Sequence, residues 1–111
     1  MANFEIDSEI ITKPTGADGV RDSAWSGWDS NTAPPDHVIN RDTVRVEWLS
    51  QTGSENSYDL VYDDWVELVP GTNLKFPQTI KVRTYARGPK GYLTDRGWSK
   101  IKVTGDYVKY R

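Results

Sequence analysis

The chain has no cysteine and only one histidine, His37, among its 111 residues. The lack of cysteine excludes disulfide bonds and thiolate chemistry. One histidine is too few for a histidine-rich metal site, and a Ser-His-Asp triad would have to use His37. That residue follows Ala-Pro-Pro-Asp in a turn-rich segment, and no Gly-x-Ser-x-Gly motif is present. The sequence therefore predicts no catalytic residue, no metal site and no cofactor, so we do not expect an enzyme.

Long apolar segments are also missing, since hydrophobic residues make up only 36% of the chain. No segment approaches the roughly 20 apolar residues of a membrane-spanning helix. The opening MANFEIDSEIITK lacks the basic start and apolar run of a signal peptide. We therefore expect a soluble protein without signal peptide or membrane partner, in a virion or the cytoplasm or displayed on a surface.

What the chain does have is alternation of apolar and polar residues, in windows rich in β-branched and aromatic side chains. Such windows recur about every ten residues with turns between them, which is typical of an antiparallel β-sandwich. The clearest window is TIKVRTYAR. One predicted face carries Ile80, Val82, Thr84 and Ala86, and the other carries Lys81, Arg83, Tyr85 and Arg87.

Several of these windows, within residues 42–103, resemble strands of fibronectin type III or related immunoglobulin-like domains. DTVRVEW resembles the second strand, which ends in a core tryptophan, here Trp48. SYDLVY is similar to the third strand, IKVRTYARGPKG to the sixth strand with its hairpin loop, and SKIKVT to the last strand. The chain departs from the family at Ile80, where the tyrosine corner would have a tyrosine. The resemblance implies an all-β, two-sheet sandwich with an irregular N-terminal extension.

The expected domain organisation is simple, because 111 residues suffice for one domain. Residues 1–19 carry a short apolar set that ends at Pro14, Gly16 and Gly19, so we expect an N-terminal arm or a first strand. Residues 20–111 are expected to form a single β-sandwich domain.

Charge is divided unevenly along the chain. Residues 1–70 contain 14 acids against 4 bases, whereas residues 71–111 contain 2 acids against 10 bases. Two interpretations stay open at this point. Acidic and basic strands lie side by side and neutralise each other, or two faces of opposite sign orient copies or partners during docking.

The basic segment suggests a nucleic-acid surface, since Tyr85 and Tyr92 are interleaved with its bases and could stack on nucleotides. Against this, the isoelectric point is about 5.3. In a sandwich of the expected kind, Asp59 and Asp63 would also face Arg83 and Lys81 on the neighbouring strand. The candidate basic patch consists of Lys81, Arg83, Arg87, Lys100 and Lys102.

Two tryptophans, Trp25 and Trp28, stand three apart in the polar segment SAWSGWDSNTAPPD. They could cover an open end of the sandwich, anchor a protein interface, or form a sugar platform. In the sugar platform, Asp29, Asn31 and Asp36 would accept hydrogen bonds from hydroxyls. We also expect Trp65 and Trp98 to be partly exposed. The candidate ligand- or partner-binding residues are Trp25, Trp28, Asp29, Trp65, Tyr92 and Trp98.

Together these patterns favour a non-enzymatic structural or adhesion module, such as a decoration or accessory protein of a phage virion. A protein partner or self-assembly is the expected mode of binding. The first alternative is a carbohydrate-binding module that uses exposed tryptophans on a glycan. The second is nucleic-acid binding through the basic C-terminal third.

Overall fold

The computed structural model describes residues 3–16, 20–90 and 95–111, and these ranges contain strands and no helix. Accordingly, the described part of the chain offers no helix with the length and hydropathy needed to cross a membrane. The strands are β1 (Asn3–Ile11), β2 (Ser23–Trp25), β3 (Asp29–Thr32), β4 (His37–Thr52), β5 (Glu55–Glu67), β6 (Lys75–Arg87) and β7 (Trp98–Lys109).

The strands form two antiparallel sheets, which confirms the predicted all-β, two-sheet sandwich. In the first sheet, β7 lies between β1 and β4. In the second sheet, β6 pairs with β5 on one side and with both β2 and β3 on the other. The two central strands, β6 and β7, therefore belong to different sheets.

The core forms where the inner faces of β6 and β7 meet. Thr84 and the apolar inward residues of β6 are completely buried, as the alternation predicts, while Lys81, Arg83 and Tyr85 are half-buried on the other face. Burial of apolar surface is the main force that holds the two sheets together. The buried cluster consists of Phe4, Ile6, Ala33, Ile39, Ile80, Val82, Ile101 and Val103.

The edge strands β4 and β5 complete this core only partly. Five half-buried side chains of these strands pack against the cluster. They are Val44, Val46 and Trp48 of β4 and Leu60 and Tyr62 of β5. The ring of Trp48 meets the ring of Tyr58 edge to face, with 5.9 Å between their centroids. The flank between β4 and β5 is thus closed by aromatic side chains rather than by a further strand.

Two strand boundaries differ from the sequence-based expectation, and the segment before Pro14 adopts the first-strand alternative that was expected for it. β4 begins at His37, well before the DTVRVEW window, because a register shift between Asn40 and Arg45 lets the ladder with β7 continue through an irregular stretch. β5 runs unbroken from Glu55 to Glu67, although Asp64 has a positive φ of 56°. The segment before Pro14 forms β1, which pairs with β7 and contributes Phe4 and Ile6 to the core.

The molecule is elongated, measuring 60 × 25 × 18 Å, with a radius of gyration of 17.7 Å. A compact domain of this length would have a radius of gyration of about 13 Å. The cause is the length of β4, β5, β6 and β7, which have 12 to 16 residues each. A long and narrow sandwich buries little apolar volume for its size and presents a large surface.

One end of the sandwich is closed by a close backbone crossing at glycines. A Cβ atom on Gly97 would lie 2.6 Å from the carbonyl carbon and oxygen of Arg87, and one on Gly53 would lie 2.2 Å from the same oxygen. Next to this crossing, Thr12 donates its N–H to the Gly97 carbonyl and accepts the Gly97 N–H at its Oγ1, both at 2.8 Å. This end therefore depends on backbone contacts that no larger residue permits.

Replacement of Gly97 by alanine tests this crossing. The added methyl group would meet backbone atoms that cannot rotate away, so we expect Gly97→Ala to lower the free energy of unfolding by about 2 kcal/mol or more. Gly27→Ala is the matched control, because nothing lies within 4 Å of its Cβ position, and its cost should stay within about 0.5 kcal/mol. Urea unfolding followed by tryptophan fluorescence measures both. Equal midpoints for the two variants would contradict this description of the crossing.

Candidate interaction surface

A bulge between β2 and β3 places Trp25 and Trp28 on the same side of the second sheet. Residues three apart on a regular strand point to opposite faces. Here Trp25 pairs with Tyr85 and Asp29 pairs with Val82, so three residues of the edge lie opposite two residues of β6. The extra residue reverses the alternation, and both indoles reach the outer face.

Ser26 holds this bulge in place with its backbone and its side chain. Its N–H donates to the Thr84 carbonyl at 2.8 Å, and its Oγ accepts the Thr84 N–H at 2.9 Å. The same hydroxyl donates to the Gly27 carbonyl at 3.0 Å and lies 3.0 Å from the hydroxyl of Ser8 in β1. The serine oxygen thus replaces a backbone acceptor that the bulge removes from the ladder.

Arg83 lies against both indoles. Its guanidinium carbon is 4.2 Å from the ring centroid of Trp25 and 4.5 Å from that of Trp28, which is within the range of cation–π contacts. Asp59, directly opposite on β5, accepts a hydrogen bond at Oδ2 from Nε at 2.9 Å, and the same oxygen lies 2.8 Å from Nη2 in an ion pair. Tyr85 packs on Trp25 with 5.0 Å between ring centroids. We call Trp25, Trp28, Arg83 and Tyr85 the tryptophan cluster.

The cluster lies at the surface and not in the core. Trp25 is 39% exposed and Trp28 is 47% exposed, so neither completes the buried cluster at an open end of the sandwich. Their rings and the guanidinium form a surface in which apolar area surrounds a charge that is already paired. Because Asp59 stays with Arg83, a partner that covers this surface does not leave the guanidinium as an unpaired buried charge.

The polar groups expected for a sugar platform do not gather around the indoles. Asp29 pairs with the inward-facing Val82, so it lies on the sandwich side of the sheet, opposite to Trp28. Asn31 accepts a hydrogen bond from the Tyr107 hydroxyl across the sandwich. Asp36 lies near the C-terminus, 3.9 Å from the Arg111 guanidinium. The predicted set of hydroxyl acceptors is therefore dispersed.

The remaining candidate tryptophans lie elsewhere. Trp65, 45% exposed, pairs with Pro77, about 26 Å along β6 from the position of Trp25, and contacts Arg41 at 5.1 Å from its ring centroid. Trp98 is 38% exposed and belongs to the first sheet, where its Nε1 donates to Glu9 Oε2 at 2.7 Å. Tyr92 lies outside the described residues.

The candidate basic patch is divided between two opposite surfaces. Lys81, Arg83 and Arg87 lie on the outer face of the second sheet, whereas Lys100 and Lys102 lie on the outer face of the first. These five residues therefore do not share one face of the sandwich. The central strands supply these bases, and the sandwich turns their polar faces away from each other.

Acidic edge strands neutralise the basic central strands, as the first interpretation of the charge pattern predicts. The expected pairing of Asp59 with Arg83 occurs in direct register, and Asp63 Oδ2 lies 3.4 Å from Lys81 Nζ. In the first sheet, Glu5 Oε1 lies 3.0 Å from Lys102 Nζ. These pairs are solvent-exposed, so each contributes little to stability.

Two pKa values reflect these pairs. The Asp64 N–H and the Lys81 ammonium both bond to the Asp63 carboxylate, and they hold its pKa below the ordinary value. The hydrogen bond and charge of Glu5 raise the pKa of the Lys102 ammonium, with smaller contributions from Glu47 and Asp7. Both shifts keep the charged forms at neutral pH and leave a surface of balanced ion pairs.

A surface depression lies away from the tryptophan cluster. It has a volume of about 490 Å³ and two carboxylates, one of which, Glu5, is engaged with Lys102. Its lining residues are Asn3, Phe4, Glu5, Thr43, Thr104, Gly105 and Asp106. His37 lies elsewhere, at the start of β4, with Nδ1 2.8 Å from the Pro35 carbonyl. In the described ranges, no three acidic or histidine side chains converge as metal ligands would.

Comparison of the chain with protein-family models, curated proteins and solved structures gave no match. The geometry of the surface is therefore the basis for an inference about function.

Arg83 is the residue whose role the sequence analysis missed, because its charge placed it in the basic patch. The available signal was the odd spacing of Trp25 and Trp28 around a Ser-Gly pair, which is compatible with a bulge. A bulge in an edge strand beside TIKVRTYAR would bring both indoles over an outward-facing basic side chain of that strand.

Replacement of Arg83 by lysine tests the stacked arrangement. Lysine keeps the charge near Asp59 but lacks the planar guanidinium that contacts the two rings. We expect Arg83→Lys to lower the free energy of unfolding by about 1 kcal/mol, the sum of two exposed cation–π contacts. Arg87→Lys, an exposed position at the end of β6, is the control and should change stability by less than about 0.5 kcal/mol. Urea midpoints that are equal for both variants would contradict the stacking.

Proposed function

We propose that this chain is a non-enzymatic structural or adhesion module that binds a protein partner through the tryptophan cluster on the outer face of the second sheet. The observation that carries the proposal is the composition and exposure of that cluster. Tryptophan, tyrosine and arginine are the residues most enriched in interface hot spots. Here they are adjacent, held by a bulge and an ion pair, and the two indoles are 39% and 47% exposed.

The elongated shape supports a role as an accessory or decoration protein of a larger assembly, such as a virion. A sandwich 60 Å long and 18 Å thick can separate an attached end from a displayed end. β1 supplies Phe4 and Ile6 to the core, so the proposal assigns partner binding to the tryptophan cluster rather than to residues 1–19.

Relationship to fibronectin type III domains is a further part of the proposal, with observations on both sides. The pairing of β5 with β6 and the packing of Trp48 against the core favour it. The division of β6 and β7 between two sheets does not, because the corresponding last two strands of the immunoglobulin topology share one sheet.

Carbohydrate binding is the second candidate, because exposed indoles can pack on the apolar face of a sugar. Two observations make it weaker. Arg83 already contacts both rings, and the expected acceptors Asp29 and Asn31 are directed elsewhere. Nucleic-acid binding is weaker still, since the bases are split between faces and paired with acids.

Alanine replacement of Trp28 tests the proposed function. Wild-type protein, Trp28→Ala and Trp98→Ala, a tryptophan of similar exposure on the opposite face, are each immobilised and exposed to proteins of the source cells or particles. We expect a partner that the wild type and Trp98→Ala retain and that Trp28→Ala binds at least tenfold more weakly, as for a hot-spot residue.

The same three proteins are tested on a glycan array and with a labelled single-stranded oligonucleotide. Glycan binding that quenches tryptophan fluorescence and is lost in Trp28→Ala would replace the proposal with the carbohydrate alternative. Oligonucleotide binding that weakens steeply with salt would support the nucleic-acid alternative. A partner that Trp28→Ala retains at full affinity would contradict the role of the cluster.

A further inference from the structure

The outer edge of β5 carries backbone groups that point away from the sheet. Ser54 donates its N–H to the Arg87 carbonyl, and on the other side of β6 Ser26 donates to the Thr84 carbonyl. Peptide groups alternate in direction along a strand, so the odd-numbered residues of β6 direct their N–H and C=O groups toward β5. Their antiparallel partners on β5 are odd-numbered too. The even-numbered residues Tyr58, Leu60 and Tyr62 therefore direct their N–H and C=O groups outward.

These outward groups have no partner in the described ranges, since β5 pairs only with β6 and no other hydrogen bond reaches Tyr58, Leu60 or Tyr62 through the backbone. Unpaired edges usually carry a device that blocks strand addition, such as lysine, proline or a bulge. β5 contains none of the residues Lys, Pro and Gly, and its ladder with β6 is regular from Glu55 to Asp63. The charged side chains in the middle of this edge, Asp59 and Asp63, are paired with Arg83 and Lys81 of β6, and the positive φ of Asp64 interrupts the edge.

The other edges of the sandwich are protected. β4 has two register shifts, and β2 and β3 are short and separated by the bulge. On β1, the Asp106 N–H donates to Thr43 of β4, so the same alternation turns the peptide groups of Glu5, Asp7 and Glu9 outward. A second β1 strand in two-fold pairing would bring these acids opposite each other, which is unfavourable.

β5 is self-complementary in a way that β1 is not. With a two-fold axis at Leu60, Tyr58 faces Tyr62 of the second copy on the inner side. On the outer side, Asp59 faces Val61 of the second copy, and Ser57 faces Asp63. Aromatic pairs of this kind stabilise a sheet, and no two acids are directly opposed. A shift of the axis by one residue, to Val61, would oppose Asp59 and Asp63, so the charges favour the Leu60 register over that one.

We propose that two copies of this chain associate through antiparallel pairing of their β5 edges about Leu60, which joins the two second sheets into one continuous sheet. The ladder spans Ser57–Asp63 and ends at Asp64. The contact also covers Tyr58 and Val61, which are 40% and 46% exposed in the single chain. The inference goes beyond the proposed function, because it names a second copy and a surface distinct from the tryptophan cluster.

Opposite charge substitutions at Val61 test the pairing. In the dimer, Val61 of each copy faces Asp59 of the other copy. Within one chain, Val61 faces Lys81. Val61→Asp therefore favours the folded monomer and opposes the dimer, and Val61→Lys does the reverse. In sedimentation velocity over a concentration series, we expect a monomer–dimer equilibrium for the wild type. Val61→Asp should weaken it at least tenfold, and Val61→Lys should keep or strengthen it.

Hydrogen exchange locates the contact in the same samples. The amides of Tyr58, Leu60 and Tyr62 should exchange more slowly as the wild-type concentration rises, and those of Val61→Asp should not respond. A wild type that stays monomeric throughout the series would overturn the proposal. So would equal effects of Val61→Asp and Val61→Lys, or a dimer in which these amides exchange at the monomer rate. Trp28→Ala should dimerise normally, so failure here is separable from failure of partner binding.

Discussion

The packing of the inner faces of β6 and β7 is the contact on which the rest of the structure depends. Ile80 and Val82 meet Ile101 and Val103 in a core with no exposed surface. Because these two strands turn their apolar faces toward each other, their basic residues must point outward in opposite directions. Acids of the edge strands β1 and β5 then lie beside these basic residues, so charges that are separated along the sequence form local ion pairs.

This constraint explains how much of the fold the sequence could predict. Strict alternation in TIKVRTYAR determines which side chains of β6 are buried, and the structure confirms that assignment. The pairing of Asp59 with Arg83 followed from the expected neighbourhood of their strands. The assignment of β6 and β7 to different sheets did not follow, because alternation reports which residues face inward and does not report which strand lies alongside.

The candidate site was less predictable than the fold, for the reason that Trp25 and Trp28 illustrate. Period-two reasoning assumes a regular strand, and one extra residue reverses it. Ser26 stabilises that extra residue, because its hydroxyl accepts a hydrogen bond from the Thr84 N–H. The partner of the bulge, Arg83, lies almost sixty positions later in the chain, so only the three-dimensional pairing reveals that the indoles and the guanidinium meet.

The central claim is that the bulge brings both indoles over the Arg83 guanidinium on the outer face of the second sheet. Side-chain NMR tests this claim most directly. We expect nuclear Overhauser effects from the Arg83 side chain to the rings of both Trp25 and Trp28, with its protons shifted upfield by ring currents. Nuclear Overhauser effects from Trp28 to Ile80 or Val82 in the core, without contacts to Arg83, would contradict the account.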